Sequence, residues 1–228
     1  MKDFGLACEG VTDQIVLENI LFGFYDGKDD FEFDVDEISY LQPLLDATDG
    51  DGLGSWTRLL KYLENQRFRD DVVNHRFMII QVDTDVAEQV GFDVVIRDGG
   101  KELSVEQIVE NVKQRLIAQI NSGKPNFYEQ HQVKLIFAIS VHSLECWLFN
   151  LHNKNQQHFG RIRSCEQHLR NELAKDRKNP VLEKTCDVYD EVSKKFYEKR
   201  GREIANVVKV DKSFAIFIGQ LEQIDYPE

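Results

Sequence analysis

Four carboxylates stand where the chain reads as leaving a strand. Glu9 follows the short apolar segment Phe4–Cys8. Asp83 and Asp85 follow the run Phe77-Met78-Ile79-Ile80-Gln81-Val82. Glu145 lies just past Val133–Ile139, within Ser140-Val141-His142-Ser143-Leu144-Glu145. In open α/β sheets, ligands gather outside the carboxyl ends of the strands. If the strands run parallel, the four acids share one edge of the sheet. Clustered like charges raise pKa values or demand a cation. Hard oxygen ligands suit Mg²⁺ or Mn²⁺, which bind through a few carboxylates plus water and phosphate. Such a centre activates a water and clamps both oxygens of an in-line phosphoryl displacement. His142, next to the fourth strand end, is expected to line the same site. An acid after a strand also serves as a helix N-cap or turn residue, so the joint placement carries the reading, not any one residue.

Other chemistry finds less support. His152, His158 and His168 show no metal-ligand spacing. Gly50, Gly52 and Gly54 would let backbone approach a phosphate, but the segment lacks a Walker-A Lys-Ser/Thr ending and reads as a plain loop. No serine or cysteine sits in a nucleophile elbow or triad context. Cys8, Cys146, Cys165 and Cys186 form no CxxC pair, so reduced thiols in a cytosol are expected over zinc or a disulfide framework.

The elements that must position the acids are legible in outline. Phe4–Cys8 predicts a strand, with Glu9-Gly10-Val11-Thr12 as the turn and Thr12 as the cap of a helix carrying Ile15, Val16, Ile20 and Leu21. Asp26–Asp36 is charged, with an acidic strand or loop at Phe31-Glu32-Phe33. Ile38–Leu45 predicts a second strand, and Ser55 is expected to cap a helix through Leu59, Leu60 and Leu63. Phe77–Val82 reads as a strand buried on both faces. Ser104–Ile120 predicts an amphipathic helix with a Ser104/Gln107 capping box. Val133–Ile139 is a further buried strand, and a helix follows over Ser143–His152. The tail reads as helical, with a break near Asn179-Pro180 and a last helix over Ser213–Ile224. The alternation of strand and helix implies a mostly parallel α/β sheet with right-handed crossovers. The expected organisation is an α/β catalytic domain over 1–152 and a helical, basic extension over 153–228.

Composition bounds the function. The 228 residues are 42% hydrophobic and 30% charged, with a net charge of -12. That is long enough for a real core and argues against disorder. No apolar run reaches the roughly 18 residues of a membrane helix, and the start meets a carboxylate too soon for a secretory signal. Residues 1–51 hold 2 lysines against 14 acids, whereas 154–202 hold 13 Lys+Arg against 8 acids. The acidic part suits a carboxylate-rich metal centre, and the basic flank could meet a polyanion.

Glu9-Gly10-Val11-Thr12-Asp13 after one strand, and Phe77–Val82 followed by Asp83-Thr84-Asp85, resemble a Toprim domain over about residues 1–152. Toprim domains are the catalytic module of topoisomerases, primases and OLD-type nucleases. Ser143-Leu144-Glu145-Cys146-Trp147-Leu148 also resembles a segment of small Toprim-like proteins of bacterial defence islands, RloB-like ones among them. The resemblance implies a Toprim-like sheet in which Glu9 is a metal ligand or general acid/base. Asp83 and Asp85 would hold the divalent cation, with Asp13 and Glu145 as secondary acids. It further implies a cytoplasmic, metal-dependent nuclease acting on DNA or RNA, a toxic effector in phage defence that works with an ATPase partner. A homo-oligomer stays open. The acidic Asp26–Glu37 stretch is not a Toprim feature.

Two alternatives compete. Asp83-Thr84-Asp85-Val86 also fits the first motif of haloacid-dehalogenase-like phosphatases, with Asp83 as nucleophile and Asp85 as acid. That family needs a later acidic pair at a strand end, which is missing, and its first motif usually opens the domain. A non-catalytic Toprim-like interaction or regulatory subunit is the other alternative, against which the presence of all four carboxylates counts.

Overall fold

The computed structural model describes residues 2–26, 33–41, 55–198 and 201–226. In chain order the elements are β1 (Lys2–Ala7), α1 (Val11–Tyr25), β2 (Ile38–Tyr40), α2 (Ser55–Leu63), α3 (Gln66–Asn74), β3 (His75–Asp83), β4 (Arg97–Asp98), β5 (Lys101–Glu102), α4 (Val105–Gly123), α5 (Phe127–His131) and β6 (Leu135–Ser140). The remaining elements are helical: α6 (Glu145–His152), α7 (Cys165–Leu173), α8 (Cys186–Ser193), α9 (Arg202–Val208) and α10 (Lys212–Leu221). The fold is α/β, with a mostly parallel four-stranded sheet in the order β2-β1-β3-β6, flanked by helices.

The chain forms two compact units. One holds residues 1–11 and 36–139, the other residues 12–35 and 140–228. This division does not follow a cut at residue 152, because residues 12–35, which hold nearly all of α1, and residues 140–152 group with the C-terminal helices.

In the first unit, β1 is the inner partner of both β2 and β3, and both pairings are parallel. Phe4, Gly5 and Leu6 pair with Ile38, Ser39 and Tyr40 on one side and with Phe77, Met78 and Ile79 on the other. β1 and β3 are apolar because their middle residues are covered on both faces: Phe4, Leu6, Met78, Ile79 and Ile80 are fully buried. A side chain at Gly5 would meet Leu41 and Met78, which keeps that position small. β2 ends its regular pairing at Tyr40, with the Leu41 N–H still donating to Leu6 O at 2.9 Å. The expected continuation to Leu45 and the 49–54 glycine loop lie outside the described residues, as do Phe31 and Glu32.

The helix over 104–120 forms as expected. The Gln107 N–H donates to Ser104 Oγ and the Ser104 N–H donates to Gln107 Oε1, while Ile108, Val112, Leu116 and Ile120 are buried along one face. Two helix starts differ from expectation. α1 begins at Val11, so Thr12 sits inside the first turn, and α2 begins with Ser55 as its first residue. A small hairpin, β4 with β5, turns through Gly99 and Gly100 at positive φ.

In the second unit, the aromatic core of α6 and α10 is tight. Trp147 lies parallel to Phe217 with ring centres 5.7 Å apart, and Phe214 stacks on Phe196. The Trp147 Nε1–H donates to Ser213 Oγ, Ser213 Oγ–H donates to Asp211 Oδ1, and Asn150 Nδ2–H donates to Asp211 Oδ2. Burial raises the Asp211 pKa, against the lowering effect of its Phe214, Ser213 and Asn150 hydrogen bonds. Such a network is worth having only when its members are satisfied. Gly23 of α1 meets the Phe196 carbonyl so closely that any Cβ would sit 2.0 Å from that oxygen.

The expectation of reduced thiols is corrected for one pair. Cys146 and Cys165 form a disulfide, with Cα atoms 4.8 Å apart. They are the second residue of α6 and the first of α7, and the antecedent 19-residue spacing gives no clue that these two helix starts meet. Neither the buried Cys8 nor the exposed Cys186 is in a disulfide.

Candidate active site at the strand ends

β1 and β3 are parallel neighbours, so their carboxyl ends meet at one edge and bring Glu9 beside Asp83. The Asp83 N–H donates to Glu9 Oε2 at 3.3 Å. Gln81 joins the two from below: its Oε1 accepts the Glu9 N–H at 3.0 Å, and its Nε2–H donates to Asp83 Oδ1 at 3.0 Å. Gln81 is fully buried, so its amide is fixed in place by these two bonds. Glu9 and Asp83 are half-buried, and Asp85 is exposed on the short 3-10 turn Thr84–Val86.

The turn also bears on the simplest competing role for Asp83. Asp83 stands at the cap position of Thr84–Val86 with extended backbone, yet its side chain makes no capping hydrogen bond. The carboxylate is held by Gln81 instead. Gln81 was not among the expected site residues, although it is the single polar residue in the run Phe77–Val82 and that anomaly was visible.

Glu145, Asp13 and His142 belong to the second unit. Glu145, the first residue of α6, is buried. Tyr189 Oη–H donates to its Oε1 at 2.6 Å, and Lys184 Nζ lies 3.8 Å away. Burial pushes the Glu145 pKa up, but hydrogen bonds from Ser143 and Tyr189 and the Lys184 charge outweigh it, and the net shift is downward. Tyr189 shifts upward, first by burial and then by the negative charges of Glu145, Asp13 and Glu166. Asp13 and Glu145 thus act on one phenol. His142 takes positive φ (66°) in the loop before α6, a conformation uncommon for a side chain of this size.

Among the described residues, no group of three or more His, Cys, Asp and Glu side chains is arranged to hold a metal ion. The oxygen donors of Glu9 and Asp83 nevertheless fit Mg²⁺ or Mn²⁺, because Mg²⁺ is commonly held by one or two carboxylates with water and substrate phosphate completing its shell. No helix among the described residues is long and apolar enough to cross a membrane. No protein-family model matches the chain, and neither a curated protein nor a solved structure matches it. The Toprim resemblance therefore rests on the residues quoted above.

Proposed function

We propose that the chain is a divalent-metal-dependent nuclease that hydrolyses nucleic-acid phosphodiesters at the carboxyl ends of β1 and β3. The observation that carries this reading is the Gln81 clamp, which holds Glu9 and Asp83 side by side while leaving Asp83 unused as a helix cap. When bound, Mg²⁺ or Mn²⁺ supplies Lewis acidity and a water of lowered pKa. Glu9 and Asp83 would supply its oxygen ligands, and Gln81, bonded to the Glu9 backbone and the Asp83 carboxylate, would hold the two strand ends in place before substrate arrives, so that little reorganisation is needed. Asp85, exposed on the turn that follows, would accept the proton of the attacking water. A polyanionic substrate is supported by the basic 154–202 segment. The resemblance to defence-island proteins extends the reading to a cytoplasmic effector with an ATPase partner.

The test is cleavage of DNA, RNA and tRNA with Mg²⁺ or Mn²⁺ by the wild type, Glu9→Gln and Asp83→Asn. Both substitutions keep the shape and one acceptor oxygen and remove the charge. Loss of cleavage in each is the expected result, and cleavage that survives both overturns the assignment.

A further inference from the structure

In the second unit, several cations of the basic segment are matched by acids. Arg170 pairs with Glu166, Lys175 with Glu172, Lys184 with Glu145 and Lys194 with Glu191. Arg161 differs. No acid among the described residues pairs with its guanidinium, and its Nε is buried without an acceptor. A guanidinium is a planar fork of N–H donors that stays charged at any physiological pH. A half-buried one with no acceptor asks for an anion.

Two imidazoles stand with it. The His158 and His168 rings have their centres 6.3 Å apart. His168, on α7, also lies against the buried Phe149 of α6, with ring centres 5.7 Å apart, so its ring is backed on that side. Burial lowers the His168 pKa, and the charges of Arg161 and then His158 lower it further. The three groups are thus within electrostatic reach of one another, and all three are half-buried. Neither imidazole has a ring-nitrogen hydrogen bond among the described residues. Like charges gathered without a counter-charge disfavour their own charged forms, and an anion between them reverses that.

The number of donors narrows the class. The Arg161 fork and one N–H from each imidazole come from three separate side chains. A carboxylate offers two oxygens in one plane, whereas a phosphate group offers three or more strong acceptor oxygens about a tetrahedral centre. We infer that Arg161, His158 and His168 form a binding site for a phosphate group. The outer nitrogens of the Arg161 fork take two of its oxygens, and each imidazole donates to another. The group arrives either as part of a nucleic-acid backbone or as a free phosphate. The inference needs no metal and is independent of the strand-end reading.

The test is NMR of the imidazole Cε1–H signals of the full chain at neutral pH without divalent metal, with His158→Gln and His168→Gln assigning the two signals. Inorganic phosphate, acetate and a single-stranded oligothymidylate are titrated at constant ionic strength. Both signals are expected to move together and saturably with phosphate or with the oligonucleotide, and not with acetate. Tighter binding of the oligonucleotide assigns the site to a nucleic-acid backbone, and equal or tighter binding of inorganic phosphate assigns it to the free ion. Arg161→Gln is expected to weaken the response about tenfold or more, the scale of a lost hydrogen bond to a charged group, with an unmoved His152 signal reporting that the unit is still folded. His158→Gln, read at His168, is expected to weaken it several-fold. Absence of a response to both phosphate ligands overturns the inference. So does wild-type affinity in the two variants, or a response to acetate equal to that to phosphate.

Discussion

The backbone N–H of Asp83 donates to the Glu9 carboxylate at 3.3 Å, so the acid that ends one strand is fastened to the acid that ends its parallel neighbour. Two residues 74 apart in the chain are thereby held at one sheet edge, where Gln81 accepts from the Glu9 backbone N–H and donates to the Asp83 carboxylate. Isosteric neutralisation is the direct probe. Glu9→Gln and Asp83→Asn should each cut metal-dependent cleavage by about 10² or more, the scale of a lost acid/base group. Stability should hold or rise slightly, because one of two adjacent negative charges is gone. Parallel cleavage assays and thermal melts check both halves.

Gln81 carries a separate prediction. Gln81→Leu keeps apolar bulk in the sheet but strands the Glu9 N–H and Asp83 Oδ1 without this partner. Taking one partner from polar groups that are partly buried costs up to about 1–3 kcal/mol. Urea denaturation should show a loss of that size, and divalent affinity should fall although no carboxylate has been removed. An unchanged midpoint would show that the clamp contributes nothing.

The packing of α1 can be tested at Gly23. A Cβ there would fall 2.0 Å from the Phe196 carbonyl oxygen, and one at Gly201, at φ +65°, would fall 1.9 Å from the Gly23 oxygen. Backbone, not a flexible side chain, is in the way at both. Gly23→Ala should destabilise by about 3 kcal/mol or more, through overpacking that the backbone cannot relieve. Chemical denaturation reads this, and a native-like midpoint would contradict the packing.

His152 predicts a pH dependence. Burial, the largest cause, and the Lys195 charge lower its pKa to about 4, against the raising effects of Val192 O and Glu172. The unfolded histidine binds its proton near pH 6.5. Between those values the unfolded state holds more protons than the folded one, so stability falls as pH drops from about 6.5 to about 4 and levels off below. Unfolding midpoints across pH 4–7 should show this slope in the wild type and a reduced one in His152→Gln.

The disulfide yields a further expectation. Cys146 and Cys165 close a loop across 19 residues, worth about 3 kcal/mol in the loop-entropy view. Cys146→Ser should lower the melting temperature, and a reductant should then have no additional effect on that variant.

Much of the sheet was legible because buried strands and amphipathic helices leave periodic signatures. Phe77–Val82 is apolar since β3 is covered on both faces, and the Ser104/Gln107 box announces its helix locally. The pairing of Glu9 with Asp83 followed from the parallel topology. What escaped is non-local. The Glu9 N–H that Gln81 accepts lies 72 residues away in sequence, and the Cys146–Cys165 bond depends on how two helix starts meet. Glu145 was read with the strand-end acids, whereas its described partners are Tyr189, Ser143 and Lys184, which no spacing rule connects to it. The His152–Lys195 contact and the buried Asn150–Asp211 pair lie in helices whose pattern reports only one apolar face.

The central claim is a divalent cation held by the carboxylates at the ends of β1 and β3. Calorimetric titration of Mn²⁺ into the wild type and Asp83→Asn tests it most directly. The account predicts saturable binding in the wild type that disappears in the variant. An absence of binding in the wild type, or equal binding in both proteins, would contradict it.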